Sequence, residues 1–214
     1  MALAHLAELV AATELPINAD FESGFADSAA GVEESVRLAL ATGVAGLSIE
    51  DSTGRAEAPL FSIDEAVARL RAARRAVDQA GGDALLVGRA ECFLVGRPDL
   101  DETIARLKAY ANAGADCLYA PGIRTREQIT AVVAAVAPKP VNLLIGMTSD
   151  WTLDAVAALG VRRVSVGGAL ARAAWGGFIR AAERLAKEGR FDGFADAAKG
   201  AELNGFFAGA GRPG

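Results

Sequence analysis

The sequence predicts an α/β fold of the TIM (β/α)8 type, incomplete, with about six βα units in this chain. Three observations carry that expectation. Short apolar runs alternate with longer amphipathic runs along the whole chain, and the connections between them are short. No strand-like run is followed by the G-x-G-x-x-G turn of an open nucleotide-binding sheet. No linker or low-complexity tract divides the chain. Residues 1–214 therefore read as a single partial barrel domain, with C-terminal helices at about 169–205.

Taken in order, a helix at about 2–12 precedes the strand LPINAD. The helical stretch SAAGVEESVRLALATG then sets Val32, Val36, Leu38 and Leu40 near one face and stops at Gly43. Next come the strand VAGLSIED and a helix whose Ser62 and Glu65 are spaced as a capping box. The strand ALLVGRAE, the helix DLDETIARLKAYANAG, the strand DCLYA and the helix TREQITAVVAAVA continue the pattern. PVNLLIG, SDWTLDAVAALG, RRVSVGG and the long helix 169–188 follow. A last helix at about 194–204 leads into a Gly-rich tail. Six units that open on a helix read as a barrel whose first two strands are absent.

Composition narrows the function classes. At 214 residues and 52% hydrophobic, the chain can bury one sizeable core. A formal charge of −5 without a Lys/Arg cluster argues against nucleic acid. No apolar run approaches the roughly 20 residues needed to span a bilayer, so no membrane partner is expected. The start, MALAHLAELVAATE, lacks a basic leader, and Cys92 and Cys117 read as reduced core thiols. A cytoplasmic location is expected.

Polar residues collect where the strands end. Residues two apart share a strand face, so Asn18 and Asp20 face together, as do Ser48 and Glu50, and Arg89 and Glu91. Asn142 lies in the fifth strand, and Ser165 with Gly167 at the end of the sixth. Parallel barrels build their active sites at these carboxyl ends. Acids and an arginine there form either a structural ion-pair network or a site for a cation and an anionic ligand. Asp20, Glu22, Glu50 and Asp51 are hard oxygen donors with no cysteine or histidine cluster beside them, a set suited to Mg2+ or Mn2+. Arg89 would hold a carboxylate or phosphate.

NADFESGF at 18–25, GLSIEDS at 46–52, VGRAE at 87–91, GADCLYAPG at 114–122 and RVSVGGAL at 163–170 occur together in order. In that order and spacing they resemble the isocitrate lyase/phosphoenolpyruvate mutase family, especially its small bacterial members, over nearly the whole chain. The resemblance implies a Mg2+-binding barrel that makes or breaks a C–C or C–P bond beside a carbonyl through an enolate. It implies a small anionic 2-oxo or 2-hydroxy carboxylate as substrate, and a homodimer or homotetramer that exchanges its last barrel helix, here 169–188. By position, Asp20 matches the second acid of a D-x-D metal motif, with Asn18 where the first acid often stands. Glu50 matches an outer metal ligand. Arg89 matches the arginine that binds a substrate carboxylate, and Glu91 the acid of the same motif, which makes these two the catalytic candidates. Asn142 matches a substrate-contacting asparagine, and Ser165 and Gly167 complete the substrate-binding set.

The chain also departs from that pattern. Lyases of the family carry K-K-C-G-H on the loop after I-E-D; here the loop reads STGRAEAPLF. Isocitrate cleavage is not expected, mutase activity is disfavoured, and a decarboxylase-like lyase fits better. The family has about two more βα units in front, so a truncated chain would expose sheet edges. Two other readings stay open: a non-catalytic remnant or interaction subunit, and a phosphate- or flavin-binding barrel enzyme using the Gly167–Gly168 turn. His5 reads as a surface or packing residue, Trp151 and Trp175 as packing, and the charges of RLRAARRAV at 69–77 as a solvated helix face.

Overall fold

Alternation along each strand builds this sheet. In the computed structural model, which describes residues 2–208, Ala19, Leu47, Ile49, Leu86, Leu118, Val141 and Leu143 are all buried in one large apolar cluster shared with the helices. Their neighbours in sequence take the opposite face. The strands are β1 (Asn18–Asp20), β2 (Gly46–Glu50), β3 (Leu85–Arg89), β4 (Cys117–Tyr119), β5 (Val141–Leu144) and β6 (Arg163–Ser165). They pair in parallel in sequential order, and the sheet curls into a half-barrel. The expected barrel type and number of units are both met.

Helix α1 (Ala2–Ala11) precedes β1, and α2 (Ala29–Leu40), α3 (Ile63–Ala80), α4 (Leu100–Asn112), α5 (Arg126–Val136) and α6 (Leu153–Ala158) lie between the strands in sequence. α3 buries Ala66, Leu70, Ala73 and Val77, the spacing of a single helix face. Its Ser62–Glu65 capping box forms as expected, and Thr125 with Gln128 makes a second one at α5. On α2 the buried stripe is Val32, Val36 and Ala39, whereas Leu38 is left exposed by the 3.6-residue period. Gly88 is required by close packing: a Cβ there would stand 2.9 Å from Cβ of Tyr110 on α4.

Arg69 and Arg74 of α3 depart from the expected solvated face, whereas Arg71 and Arg75 are exposed as expected. Arg69 is buried and donates to the carbonyls of Ser23 (3.0 Å), Ala26 (2.8 Å) and Asp27 (2.9 Å), while its guanidinium lies over the Phe61 ring. Three carbonyls of an irregular turn need donors, and the side chain supplies them. Arg74 pairs with Asp116 and Asp78, and Arg75 with Glu33. His5 is exposed beside Glu8, and Cys92 and Cys117 are buried and unpaired as disulfides, as the sequence implies.

The described residues fall into two compact units, the first ending at Ser165 and the second beginning at Val166. In the second, α7 (Ala169–Glu188) is followed by a 3-10 turn at Asp192–Phe194 and by α8 (Gly200–Phe207). The final helix starts later than the sequence implies, because residues 195–199 form a turn and an irregular stretch between Gly193 and Gly200. Trp175 meets Phe178 edge to face at 5.6 Å but stays 62% exposed, so it does not fill a core. The Gly-rich tail beyond residue 208 lies outside the described residues. Among the described residues no helix is long and apolar enough to cross a membrane.

Candidate active site

The ends of β1, β2 and β3 converge on one guanidinium. Arg89 closes β3, opposite Glu50 in the parallel register, and Asp20 pairs with Ser48 on the far side of β2. Arg89 Nη1 donates to both carboxylate oxygens of Asp20, at 3.1 and 3.0 Å. Its Nε donates to Glu91 at 2.5 Å and lies 3.3 Å from Glu50. Nη2 makes no hydrogen bond among the described residues. The Ser48 hydroxyl donates to Asp20 at 3.3 Å.

Charge in this cluster is unbalanced. Burial raises the Glu50 carboxyl to about 7; Arg89 opposes that shift, and repulsion from Glu91, Glu22 and Asp20 adds to it. Burial likewise raises Glu91 against the pull of Arg89. For Arg89 burial works against the charge, but the hydrogen bond to Glu91 and the charges of Glu91, Glu50 and Asp20 outweigh it and hold the guanidinium protonated. One cation thus faces four carboxylates.

The turn that follows β1 is a local cost of the site. Glu22 and Phe25 both adopt positive φ, 48° and 49°, where a side chain is disfavoured by roughly 1–2 kcal/mol. Gly24 between them has φ 96°, and a Cβ there would come within 2.8 Å of Val32. In return the Glu22 carbonyl accepts the Glu50 N–H at 2.9 Å, which extends the β1–β2 pairing to the acidic end. Arg69 and the Ser35 hydroxyl, which donates to the Gly24 carbonyl at 2.5 Å, fasten the turn.

Strands β4 to β6 bring neutral groups to the same inner face. The Arg89 guanidinium stands 5.2 Å from the centre of the Tyr119 ring. Asn142 is fully buried and donates to the Ser165 hydroxyl at 2.9 Å; its carbonyl oxygen has no partner among the described residues. Tyr119 also approaches Ser165, and burial raises its phenol above the ordinary range. Asn18 sits two residues before Asp20 in β1, with its amide turned to the Ala19 carbonyl at 3.4 Å. Gly167 lies in the second unit, with φ 50°, ahead of α7.

Of the hard oxygen donors expected from sequence, Asp51 is not available. It is 1% exposed on the helix side of the sheet, where it accepts from Arg106 (3.0 Å), Tyr110 (2.5 Å) and the Glu91 N–H (2.8 Å). Strand alternation explains this, since consecutive residues face opposite ways and Glu50 already faces inward. Arg106, Tyr110 and Tyr119 were not singled out by sequence, though the face shared by Cys117 and Tyr119 was readable from the same period.

Among the described residues no three carboxylate, thiol or imidazole groups form a ready-made metal cage. Asp20 and Glu50 with an excess of negative charge are nevertheless a fitting donor set for Mg2+, which commonly takes one or two carboxylates and completes its shell with water and substrate. Burial raises Glu50 most, and the repulsion from Glu91, Glu22 and Asp20 that adds to it is the kind a divalent cation relieves.

Comparison with known proteins agrees with this fold. A family model described as phosphoenolpyruvate phosphomutase matches residues 1–186. A solved structure from Burkholderia cenocepacia J2315, provisionally described as a lyase/mutase, is 50% identical, with a TM-score of 0.92 over 96% of this chain and 74% of that one. An oxaloacetate decarboxylase from Bradyrhizobium sp. (strain ORS 278) is 36% identical over 58% of this chain and 43% of its own length. An oxaloacetate acetylhydrolase solved with its product oxalate is 25% identical, with a TM-score of 0.77 over 98% of this chain and 78% of that one. The chain spans about half the length of the curated relatives it matches.

Proposed function

The chain belongs to the phosphoenolpyruvate phosphomutase family, and from that premise we propose that it is a carbon–carbon lyase of decarboxylase type, acting on a small 2-oxo carboxylate of the oxaloacetate class. The carrying observation is the single guanidinium of Arg89 held among Asp20, Glu50 and Glu91 at the carboxyl ends of three adjacent strands. The named decarboxylases and the acetylhydrolase among its relatives support that substrate class.

Asp20 and Glu50 would hold Mg2+ or Mn2+, which when bound supplies Lewis-acid stabilisation of a developing enolate oxygen. The remaining roles fall to the chain itself. Nη2 of Arg89 offers a donor to a substrate carboxylate, while Glu91 on Nε fixes the plane of the guanidinium. Tyr119 covers one side of that guanidinium and limits water there. When the bond to the departing carboxylate breaks, CO2 leaves, its electron pair passes into the enolate, and a proton returns to carbon. Glu91, whose carboxyl burial raises, would carry that proton. Asn142 and Ser165 offer neutral hydrogen bonds to the other end of the substrate.

A phosphonate mutase is the second reading, favoured by the lyase/mutase description of the 50%-identical structure. The loop 52–61 weighs against it, with Arg55 and no lysine or asparagine. A homodimer or homotetramer that exchanges α7 and a cytoplasmic location belong to the same proposal. Leu170, Trp175, Phe178 and Ile179 on α7 are exposed and support helix exchange, which light scattering would test.

The test of the function is loss of oxaloacetate followed with and without Mg2+. Metal-dependent turnover that falls at least about a hundredfold in Asp20→Ala is expected. Absence of metal-dependent turnover with oxaloacetate in the wild type would sink the decarboxylase reading.

A further inference from the structure

Glu91 lies two residues beyond the end of β3, where the ladder no longer holds the chain. The Ala90 N–H still finds the Tyr119 carbonyl of β4, at 2.8 Å. The Asp51 carbonyl, next in the β2–β3 pairing, accepts from the Phe61 N–H at 2.9 Å and does not take the Glu91 N–H. The Glu91 N–H donates instead to Asp51 Oδ1 at 2.8 Å, so a side chain stands in for that ladder acceptor. The Glu91 carbonyl in turn accepts from Leu94 and Val95, at 2.9 and 3.0 Å, which starts the next turn. Both backbone groups of Glu91 are therefore fixed, and its carboxylate reaches Arg89 Nε at 2.5 Å.

Asp51 can serve as that acceptor because α4 holds it. Its Oδ2 receives Arg106 Nη1 at 3.0 Å and the Tyr110 hydroxyl at 2.5 Å. Arg106 also donates to the Phe61 carbonyl at 2.9 Å and to Glu102 at 2.8 Å. Stability alone is a poor account of this network, because a buried ion pair can be replaced by apolar groups of similar shape at little or no loss. What an apolar pair cannot supply is an acceptor at the end of β3. We infer that Asp51, backed by Arg106 and Tyr110, is the positioning residue that sets Glu91 and, through it, the guanidinium of Arg89. The inference rests on the function proposed above for what Glu91 does, but not for where Glu91 sits.

Two double variants separate positioning from mere support. Asp51→Asn/Arg106→Met and Asp51→Leu/Arg106→Met both remove the ion pair without leaving a guanidinium stranded, and only the first keeps an oxygen for the Glu91 N–H. Nitrogen-15 NMR of Arg89 Nε–H reads the result directly, because its bond to Glu91 slows exchange with water. Thermal midpoints serve as the control for folding, and kcat and KM for oxaloacetate with Mg2+ are measured alongside. The asparagine pair is expected to exchange within about threefold of wild type, and the leucine pair about tenfold faster or more. In the leucine pair kcat should fall further than KM rises. Equal exchange in the leucine pair and wild type, or equal change in both pairs, would overturn the inference. If the leucine pair does not fold, Tyr110→Phe replaces it: faster Arg89 Nε–H exchange is expected, and unchanged exchange overturns the claim. A wild type without turnover in which the two pairs still differ would refute the decarboxylase reading and leave the positioning role standing.

Discussion

The two faces of the half-barrel are made from alternate residues of the same six strands, yet their chemistry is opposite. Toward the helices the sheet presents Ala19, Leu47, Ile49, Leu86, Leu118, Val141 and Leu143, buried in one continuous apolar cluster. Toward the inside it presents Asp20, Ser48, Glu50, Arg89, Tyr119, Asn142 and Ser165, with only a small apolar group of Val87, Cys117, Tyr119 and Leu144. The first face gains free energy from apolar area removed from water. The second carries a surplus of negative charge and a buried amide oxygen with no partner among the described residues, and gains none from it. The difference teaches where folding ends and function begins: damage to the helix face should be felt as stability, and damage to the inner face as binding and turnover.

The largest test of that division is Arg89→Met. It removes the cation that Asp20, Glu50 and Glu91 share, and oxaloacetate turnover should fall by about a thousandfold, close to 4 kcal/mol of transition-state stabilisation. Steady-state kinetics checks it. Leu118→Ala, at a fully buried position on the other face, should cost about 3 kcal/mol of stability by urea denaturation and leave oxalate affinity unchanged. Turnover insensitive to the first change, or oxalate binding lost with the second, would break the comparison.

A subtler effect comes from pH. The Glu50 carboxyl is raised from 4.5 to about 7, so the folded state holds this proton more tightly than the unfolded chain does. The stability it contributes is full below about pH 4.5 and is lost as pH rises through about 7. The thermal midpoint should therefore drop across that window, by about 2–4 °C for each kcal/mol at this chain length, and Glu50→Gln should remove that part of the slope. Mg2+ binding should tighten over the same range, because the metal takes the deprotonated carboxylate. The smallest effect is expected at Glu22→Gly. Relief of its positive φ, less the entropic cost of glycine, leaves about 0.5–1 kcal/mol and should raise the midpoint by about 1–4 °C, whereas losing one of four carboxylates should weaken Mg2+ binding.

Much of this division was legible in the sequence. Period-two alternation placed Asp20, Glu50 and Arg89 on one face, and helix periodicity found the buried stripe of α3. What was not legible has a common cause: polar side chains that serve backbone. Arg69 and Arg106 sit on amphipathic helices where an arginine ordinarily meets solvent, and their partners are carbonyls of turns and a carboxylate distant in sequence. Asp51 was grouped with the metal-binding acids by its neighbour Glu50, although alternation turns it to the helix side. Glu91 shares Arg89's face by the same rule, but it stands beyond the strand, so its position depends on Asp51 and not on the ladder.

The central claim is that the inner face holds a divalent cation and a small carboxylate together. Calorimetric titration with oxalate, with and without Mg2+, tests it most directly. The account predicts oxalate binding that requires Mg2+ and disappears in Asp20→Ala, with the protein still folded. Oxalate binding that ignores both the metal and Asp20, or a folded wild type that binds neither, would contradict it.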